Sequence, residues 1–281
     1  SIHGWIRDFD IDGIRLDCAD CLDFGFMEEL RRRTGEWKQD FWLMGEVIHG
    51  DYARYIQDGT RLLHSVTNYE LHKGLYSGHN DHNYFEIAHT IRREFDSNGG
   101  IYRGMKLYSF VDNHDVDRLA SKLRVKEHLP LVYTLLYFLP GIPSVYYGSE
   151  WGILGRKEGG NDDPLRPALK LEEMEASSPN PELCEWIRGL GKIRQEHPES
   201  IFGAYRELLL TNAFARIQEE QALVVAVNND EGQGADLWIP VPIGGKKYVN
   251  LLNGEVCREE NGKLVIHLPE NGAAILAAES R

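Results

Sequence analysis

The segment Phe9-Asp10-Ile11-Asp12-Gly13-Ile14-Arg15-Leu16-Asp17 constrains this chain more than any other. It is an apolar run that ends in a carboxylate, with an arginine two residues earlier. In an extended strand, side chains two apart project from the same face. Arg15 and Asp17 therefore point the same way, and the guanidinium holds the acid ionised. The pattern recurs twice. Phe41-Trp42-Leu43-Met44-Gly45 runs into Glu46, and Leu107-Tyr108-Ser109-Phe110-Val111-Asp112-Asn113-His114 runs into Asp115. Three carboxylates at three strand ends predict a site on the C-terminal face of a parallel β/α barrel.

The surrounding pattern agrees with that reading. Strands are expected at 10–17, 41–47, about 62–69, about 105–112 and about 143–148. Helix-period apolar residues mark Asp23–Arg33, Asn83–Asp96 and Lys126–Leu139 between them. Ile2, Trp5, Ile6 and Phe9 form a further amphipathic stripe ahead of the first strand. Alternation of this kind predicts a parallel sheet. Five strands are fewer than the eight that close such a barrel. The periodicity changes near Pro198, where the helical stretch Pro181–His197 ends. Short alternating runs follow at 214–217, 222–227, 237–239, 248–251, 264–268 and 273–276, with Asn228-Asn229-Asp230, Gly244-Gly245, Asn253-Gly254 and Asn261-Gly262 as turns. They predict an antiparallel β-sandwich over 200–281, after a barrel part over 1–199.

Charge narrows the partners. A formal net charge of −13 opposes nucleic acid and anionic membrane surfaces but is indifferent to a neutral carbohydrate. No apolar run approaches the length of a membrane span. Four cysteines are too few and too scattered for a disulfide framework. Cys18-Ala19-Asp20-Cys21 has the spacing of a zinc half-site, yet no second pair completes it, so these read as packing thiols and no metal ligands are expected.

Gly13-x-Arg15-x-Asp17, Gly45-Glu46-Val47 and Phe110-Val111-Asp112-Asn113-His114-Asp115 together resemble the α-amylase family of retaining glycoside hydrolases. Gly141-Ile142-Pro143-Ser144-Val145-Tyr146-Tyr147-Gly148-Ser149-Glu150 resembles that family's last barrel strand. The resemblance implies that the Asp17 strand is the fourth of a TIM (β/α)8 barrel. The expected fold is then α/β: a partial barrel lacking its first strands, followed by the β-sandwich, as the C-terminal portion of a longer protein. It also implies roles. Asp17 would be the nucleophile, Glu46 the acid/base and Asp115 the third carboxylate, with Arg15 and His114 contacting substrate. Glu46 has the longer reach and an apolar approach through Trp42 and Met44, which suits a group that must hold a proton near neutral pH. In the loop Gly159–Pro167, Asp163 and Arg166 would touch sugar further from the cleavage point.

Where many endo-acting relatives carry Lys-His for a sugar subsite and a calcium ion, this chain has Asp20-Cys21. No cofactor or calcium is therefore expected. The departure leans towards maltooligosaccharide or cyclodextrin-type substrates rather than starch. The reaction expected is hydrolysis of α-1,4-glucosidic bonds through a covalent glycosyl-enzyme. Two alternatives stand beside it: transglycosylation through the same intermediate, and a non-catalytic sugar-binding homologue. A metal-dependent hydrolase has no His-x-x-x-His or His-Glu-x-x-His to support it.

Overall fold

A computed structural model describes residues 2–57, 61–210 and 212–279. Its first part holds five parallel strands, β1 (Gly13–Leu16), β2 (Trp42–Gly45), β3 (Ser65–Val66), β4 (Tyr108–Phe110) and β5 (Ile142–Ser144). β1, β2 and β3 pair in that order, as do β4 and β5. A parallel bridge from Thr67 to Tyr108 joins the two groups, so the strands follow one another in chain order.

The helices are α1 (Ile2–Phe9), α2 (Phe24–Trp37), α3 (Ala53–Ile56), α4 (Tyr69–Asn80), α5 (Tyr84–Phe95), α6 (Leu119–Lys122), α7 (Leu129–Phe138), α8 (Leu171–Ser177), α9 (Pro181–Glu196) and α10 (Glu199–Phe202). Only Ile6 of the α1 stripe is buried; Trp5 and Phe9 are exposed. The expected strand at 62–69 is shorter than its apolar run, because Asn68 ends it. The Asn68 side chain accepts the Leu71 N–H at 2.9 Å, an N-cap that starts α4. α4 itself was not expected from the sequence.

The second part contains β6 (Ala204–Leu209), β7 (Ala213–Gln218), β8 (Gln221–Asn228), β9 (Ala235–Pro240), β10 (Lys247–Asn250), β11 (Arg258–Glu260), β12 (Lys263–Leu268) and β13 (Gly272–Glu279). They form two antiparallel sheets, ordered β10-β13-β8-β7-β6 and β11-β12-β9. β8 reads as a nearly continuous apolar run because both of its faces are covered. Ala222, Val224 and Ala226 pack with Ile239, Leu264 and Leu276 between the two sheets. Leu223, Val225 and Val227 belong instead to the core that contains α7 and α9 residues such as Phe138 and Leu190.

One arginine crosses this seam and a second braces its helical side. Carbonyls at a helix C-terminus lack intrahelical donors. Arg216 of β7, 4% exposed, donates to Phe138 O at 3.0 Å, Gly203 O at 3.0 Å and Ile201 O at 3.3 Å. Arg194 donates to Tyr137 O and, at 2.9 Å, to Gly141 O. Burial pushes the Arg216 guanidinium down to about 9, so the site is costly in itself and depends on those acceptors.

One buried acid stands behind the strands. Glu94 of α5 accepts from Asn68 Nδ2 at 2.8 Å, while its other oxygen has no partner. Burial raises its carboxyl from 4.5 to about 7. A raised acid favours the native state fully below the unfolded value and loses that advantage as pH climbs through the folded one. Stability should therefore fall between about pH 4.5 and 7, by on the order of 3 kcal/mol at most. Thermal melting at several pH values should show this slope in the parent and lose it in Glu94→Gln; parallel curves for the two would contradict the assignment.

Candidate active site

The site starts from strand register. β1 and β2 pair Arg15 with Met44 and Leu16 with Gly45, and the next residues on each chain are Asp17 and Glu46. The ladder carries on past the strands, through Glu46 N–H to Leu16 O at 2.8 Å and Ala19 N–H to Glu46 O at 2.8 Å. Gly45 makes this closure possible. A Cβ there would stand 2.5 Å from Leu63 Cδ1 and 2.8 Å from Ala19 Cβ. Ala19 could not then lie over the strand end.

The two acids share one cation. Arg15 Nη1 lies 2.9 Å from Asp17 Oδ1 and Nη2 lies 2.9 Å from Glu46 Oε1. Their environments differ. The Asp17 side chain is 73% exposed and that of Glu46 only 6%. The Arg15 hydrogen bond, and next a hydrogen bond with Glu46, hold the Asp17 carboxyl below its usual range. Glu46 Oε1 also accepts from the Tyr69 hydroxyl at 3.2 Å, and Oε2 from Cys18 N–H at 3.3 Å. The nearby Asp17 charge raises the Cys18 thiol.

Asp115 arrives on the turn after β4. Asn113 Oδ1 accepts the Asp115 and Val116 N–H groups at 2.8 and 3.0 Å, and Asn113 Nδ2 reaches Tyr69 Oη at 3.2 Å. His114 Nε2 lies 3.0 Å from Asp115 Oδ2, and Arg166 Nη2 lies 2.8 Å from Asp115 Oδ1. Arg166 Nε also donates to His114 O at 3.0 Å. Arg166 thus meets the Asp115 turn, whereas the acid of its own loop that reaches it is Asp162, at 3.4 Å. Asp163, the residue singled out in the sequence, supplies its backbone carbonyl to Arg166 N–H at 3.0 Å.

A buried network under these loops went unnoticed in the sequence. Asp112, 2% exposed, accepts from Leu119 N–H at 2.7 Å and Ser149 Oγ at 2.8 Å. Arg118 is fully buried and donates to Tyr147 O at 2.6 Å, Ser149 Oγ at 2.8 Å and Leu165 O at 2.7 Å. It lies 4.1 Å from the Tyr146 ring centroid. The turn bearing Asp115 and the loop bearing Arg166 are thereby braced together. Tyr69 was also missed. The signal for it was Asn68, a cap residue that sets the next side chain at the start of a helix.

Asp17, Cys18 and Glu46 offer donor atoms within 4.8 Å of one another, a spacing a metal ion can use. Arg15 already pairs one oxygen of each acid, so a cation there would have to compete with a guanidinium. Carboxylates at this spacing, one ionised and exposed, the other buried, form a pair suited to attack and proton transfer on one bond.

The sequence description "Alpha amylase, catalytic domain" matches residues 1–186, and the chain belongs to this family of glycoside hydrolases. It is 27% identical over 284 residues to a cyclomaltodextrinase of Geobacillus thermopakistaniensis, covering 98% of this chain and 46% of that protein. It is 26% identical over 289 residues to a maltogenic alpha-amylase of Bacillus acidopullulyticus, covering 97% and 46%. The chain therefore spans about half the length of these relatives. An Anoxybacillus alpha-amylase superposes with a TM-score of 0.77 at 25% identity, over 100% of this chain and 61% of that one. An alpha-amylase of Geobacillus thermoleovorans in complex with acarbose gives 0.81 at 22% identity, over 99% and 62%. These likenesses place the five parallel strands and the following sheets in a TIM-barrel-like fold with a C-terminal β domain.

The shared guanidinium yields a direct expectation. Arg15→Gln removes the largest cause of the low Asp17 value, so the Asp17 titration should move up towards the ordinary carboxylate range. Carbon-13 NMR of the labelled carboxyl would follow it, and an unmoved titration would show that Arg15 does not set the charge of Asp17.

Proposed function

We propose that this chain carries the catalytic acids of a retaining α-glycoside hydrolase that cleaves α-1,4-glucosidic bonds in maltooligosaccharides or related α-glucans. The observation that carries the reading is the Asp17–Glu46 pair on adjacent strand ends, with carboxylate oxygens within 4.8 Å of each other. Retaining enzymes hold their carboxyls about 5–5.5 Å apart, whereas inverting ones leave about 6.5–9.5 Å for a water. Asp17, ionised beside Arg15, attacks the anomeric carbon. Glu46 protonates the departing oxygen and then activates the water that releases the sugar. Asp115, oriented by His114 and Arg166, engages sugar hydroxyls, and Arg15 keeps both acids in place at the substrate's edge.

The substrate class follows the relatives, whose names are cyclomaltodextrinase and maltogenic alpha-amylase. The absence of Lys-His after Asp17 supports the same lean. No helix among the described residues is long and apolar enough to cross a membrane. The same reading treats the chain as a barrel part to about residue 199 and a β domain beyond it.

Two measurements test it. Asp17→Asn and Glu46→Gln should each lower turnover of maltotetraose by at least about a thousandfold, within the reach of nucleophilic and general acid catalysis, with melting temperatures close to the parent's. Proton NMR of the first-formed product should show the α-anomer. A β-anomer would replace retention by inversion, and near-normal turnover by either variant would remove the role given to that acid.

A further inference from the structure

We propose that Tyr69 is a positioning residue for Glu46, and that with Arg15 it confines the acid's transferable proton to Oε2. The inference rests on the hydrolase reading above and concerns which oxygen does the work.

Hydrogen-bond polarity fixes the argument one link at a time. The Asp115 and Val116 backbone N–H groups can only donate, and both point at one end of the Asn113 amide, at 2.8 and 3.0 Å. That end must be the oxygen, so the end facing Tyr69 at 3.2 Å is the NH2. An NH2 only donates. The Tyr69 oxygen is thus an acceptor towards Asn113, and its own hydrogen is free to point at Glu46 Oε1, 3.2 Å away. Arg15 Nη2 stands 2.9 Å from the same Oε1 as an ion-pair partner. A donated hydrogen bond and an adjacent guanidinium both favour negative charge on Oε1 and oppose a proton there. Oε2 carries the longer 3.3 Å contact from Cys18 N–H, which leaves a lone pair there for the proton.

The scaffold holds Tyr69 to this task. It is the first residue of α4, set by the Asn68 cap, and its ring meets Phe110 edge-on at 4.9 Å. The relay also links the acid/base to the turn that carries Asp115. In the first step Asp17 forms a bond to the anomeric carbon and the glycosidic C–O bond breaks. Its electron pair stays on the leaving oxygen, which takes the proton from Glu46 Oε2. In the second step water attacks the same carbon, its proton returns to Oε2, and Asp17 leaves as the carboxylate. A carboxyl free to carry its proton on either oxygen would present the wrong one for part of the time.

The test uses two substrates that differ in their need for a proton. Maltotetraose has a poor leaving group, whereas the fluoride of α-maltosyl fluoride departs with little acid assistance. Measured as kcat/KM on the full chain, Tyr69→Phe should lose about 10- to 100-fold on maltotetraose, a fraction of what a general acid contributes. On α-maltosyl fluoride it should lose less than about threefold. Asn113→Asp retains an acceptor for the two backbone N–H groups but cannot donate to Tyr69, and it should show the same selectivity. Equal losses on both substrates, or none on either, would overturn the role of Tyr69. Glu46→Gln measured alongside separates the two levels. Normal maltotetraose turnover by that variant defeats the hydrolase reading itself, while its loss next to an unselective Tyr69→Phe defeats only the positioning role.

Discussion

The parallel pairing of β1 with β2 is the constraint on which the rest depends. Its register sets Leu16 against Gly45, and the backbone bonds on either side of that pair carry Asp17 to Glu46. Side chains alternate along a strand, so a slip of one residue would turn Arg15 and Asp17 to the other face while leaving Glu46 behind. The register is secured by packing rather than by the acids. Leu43 and Met44 are buried, and the bare Cα of Gly45 admits Ala19 above it. Arg15 then offsets the repulsion of two neighbouring carboxylates by pairing with both.

The next layer of order is polar and lies beneath the loops. Asp112, Ser149 and Arg118 form a buried, hydrogen-bonded set in which the arginine satisfies two carbonyls of the chain after β5. A guanidinium buried in this way is tolerated because both of its terminal nitrogens donate to fixed oxygens. Its placement joins two loops that otherwise have no common strand. Arg216 and Arg194 do similar work at the seam with the β sheets, where they reach carbonyls at the end of α7. The β sheets therefore support the strand part through a shared core and through buried charge. β8 serves both cores with its two faces.

Much of the fold was legible because hydrophobic period and acid-ended strands are local signals. Asp17, Glu46 and Asp115 stand out in the sequence as acids at strand ends, and hydrogen bonds through Tyr69 and Asn113 link their neighbourhoods. Local signals also account for the misses. The run into 62–69 looked like a longer strand, since Val66 and Thr67 suit one and the cap at Asn68 acts over only three residues. α4 carries Gly74, Gly78 and two histidines, His72 and His79, among its buried positions, which blur a helical stripe. Asp163 drew notice beside Pro164, yet the acid within reach of Arg166 is Asp162, a choice made by the turn between them. Tyr69 and Arg118 have no sequence neighbours that reveal their partners, which lie 23 and 31 residues away at Glu46 and Ser149.

By itself the sequence marked most of the segments that become strands, that three of them end in carboxylates, and that Arg15 shares a face with Asp17. Those properties depend on side-chain chemistry and a two-residue period, both of which act within a few positions. Only the tertiary structure decided that Asp17 and Glu46 divide one guanidinium, that Glu46 is buried while Asp17 is open, and that Asn113 donates to Tyr69 and Tyr69 to one oxygen of Glu46. Such choices turn on strand register and hydrogen-bond direction between distant segments, and no local pattern encodes where a distant donor will stand.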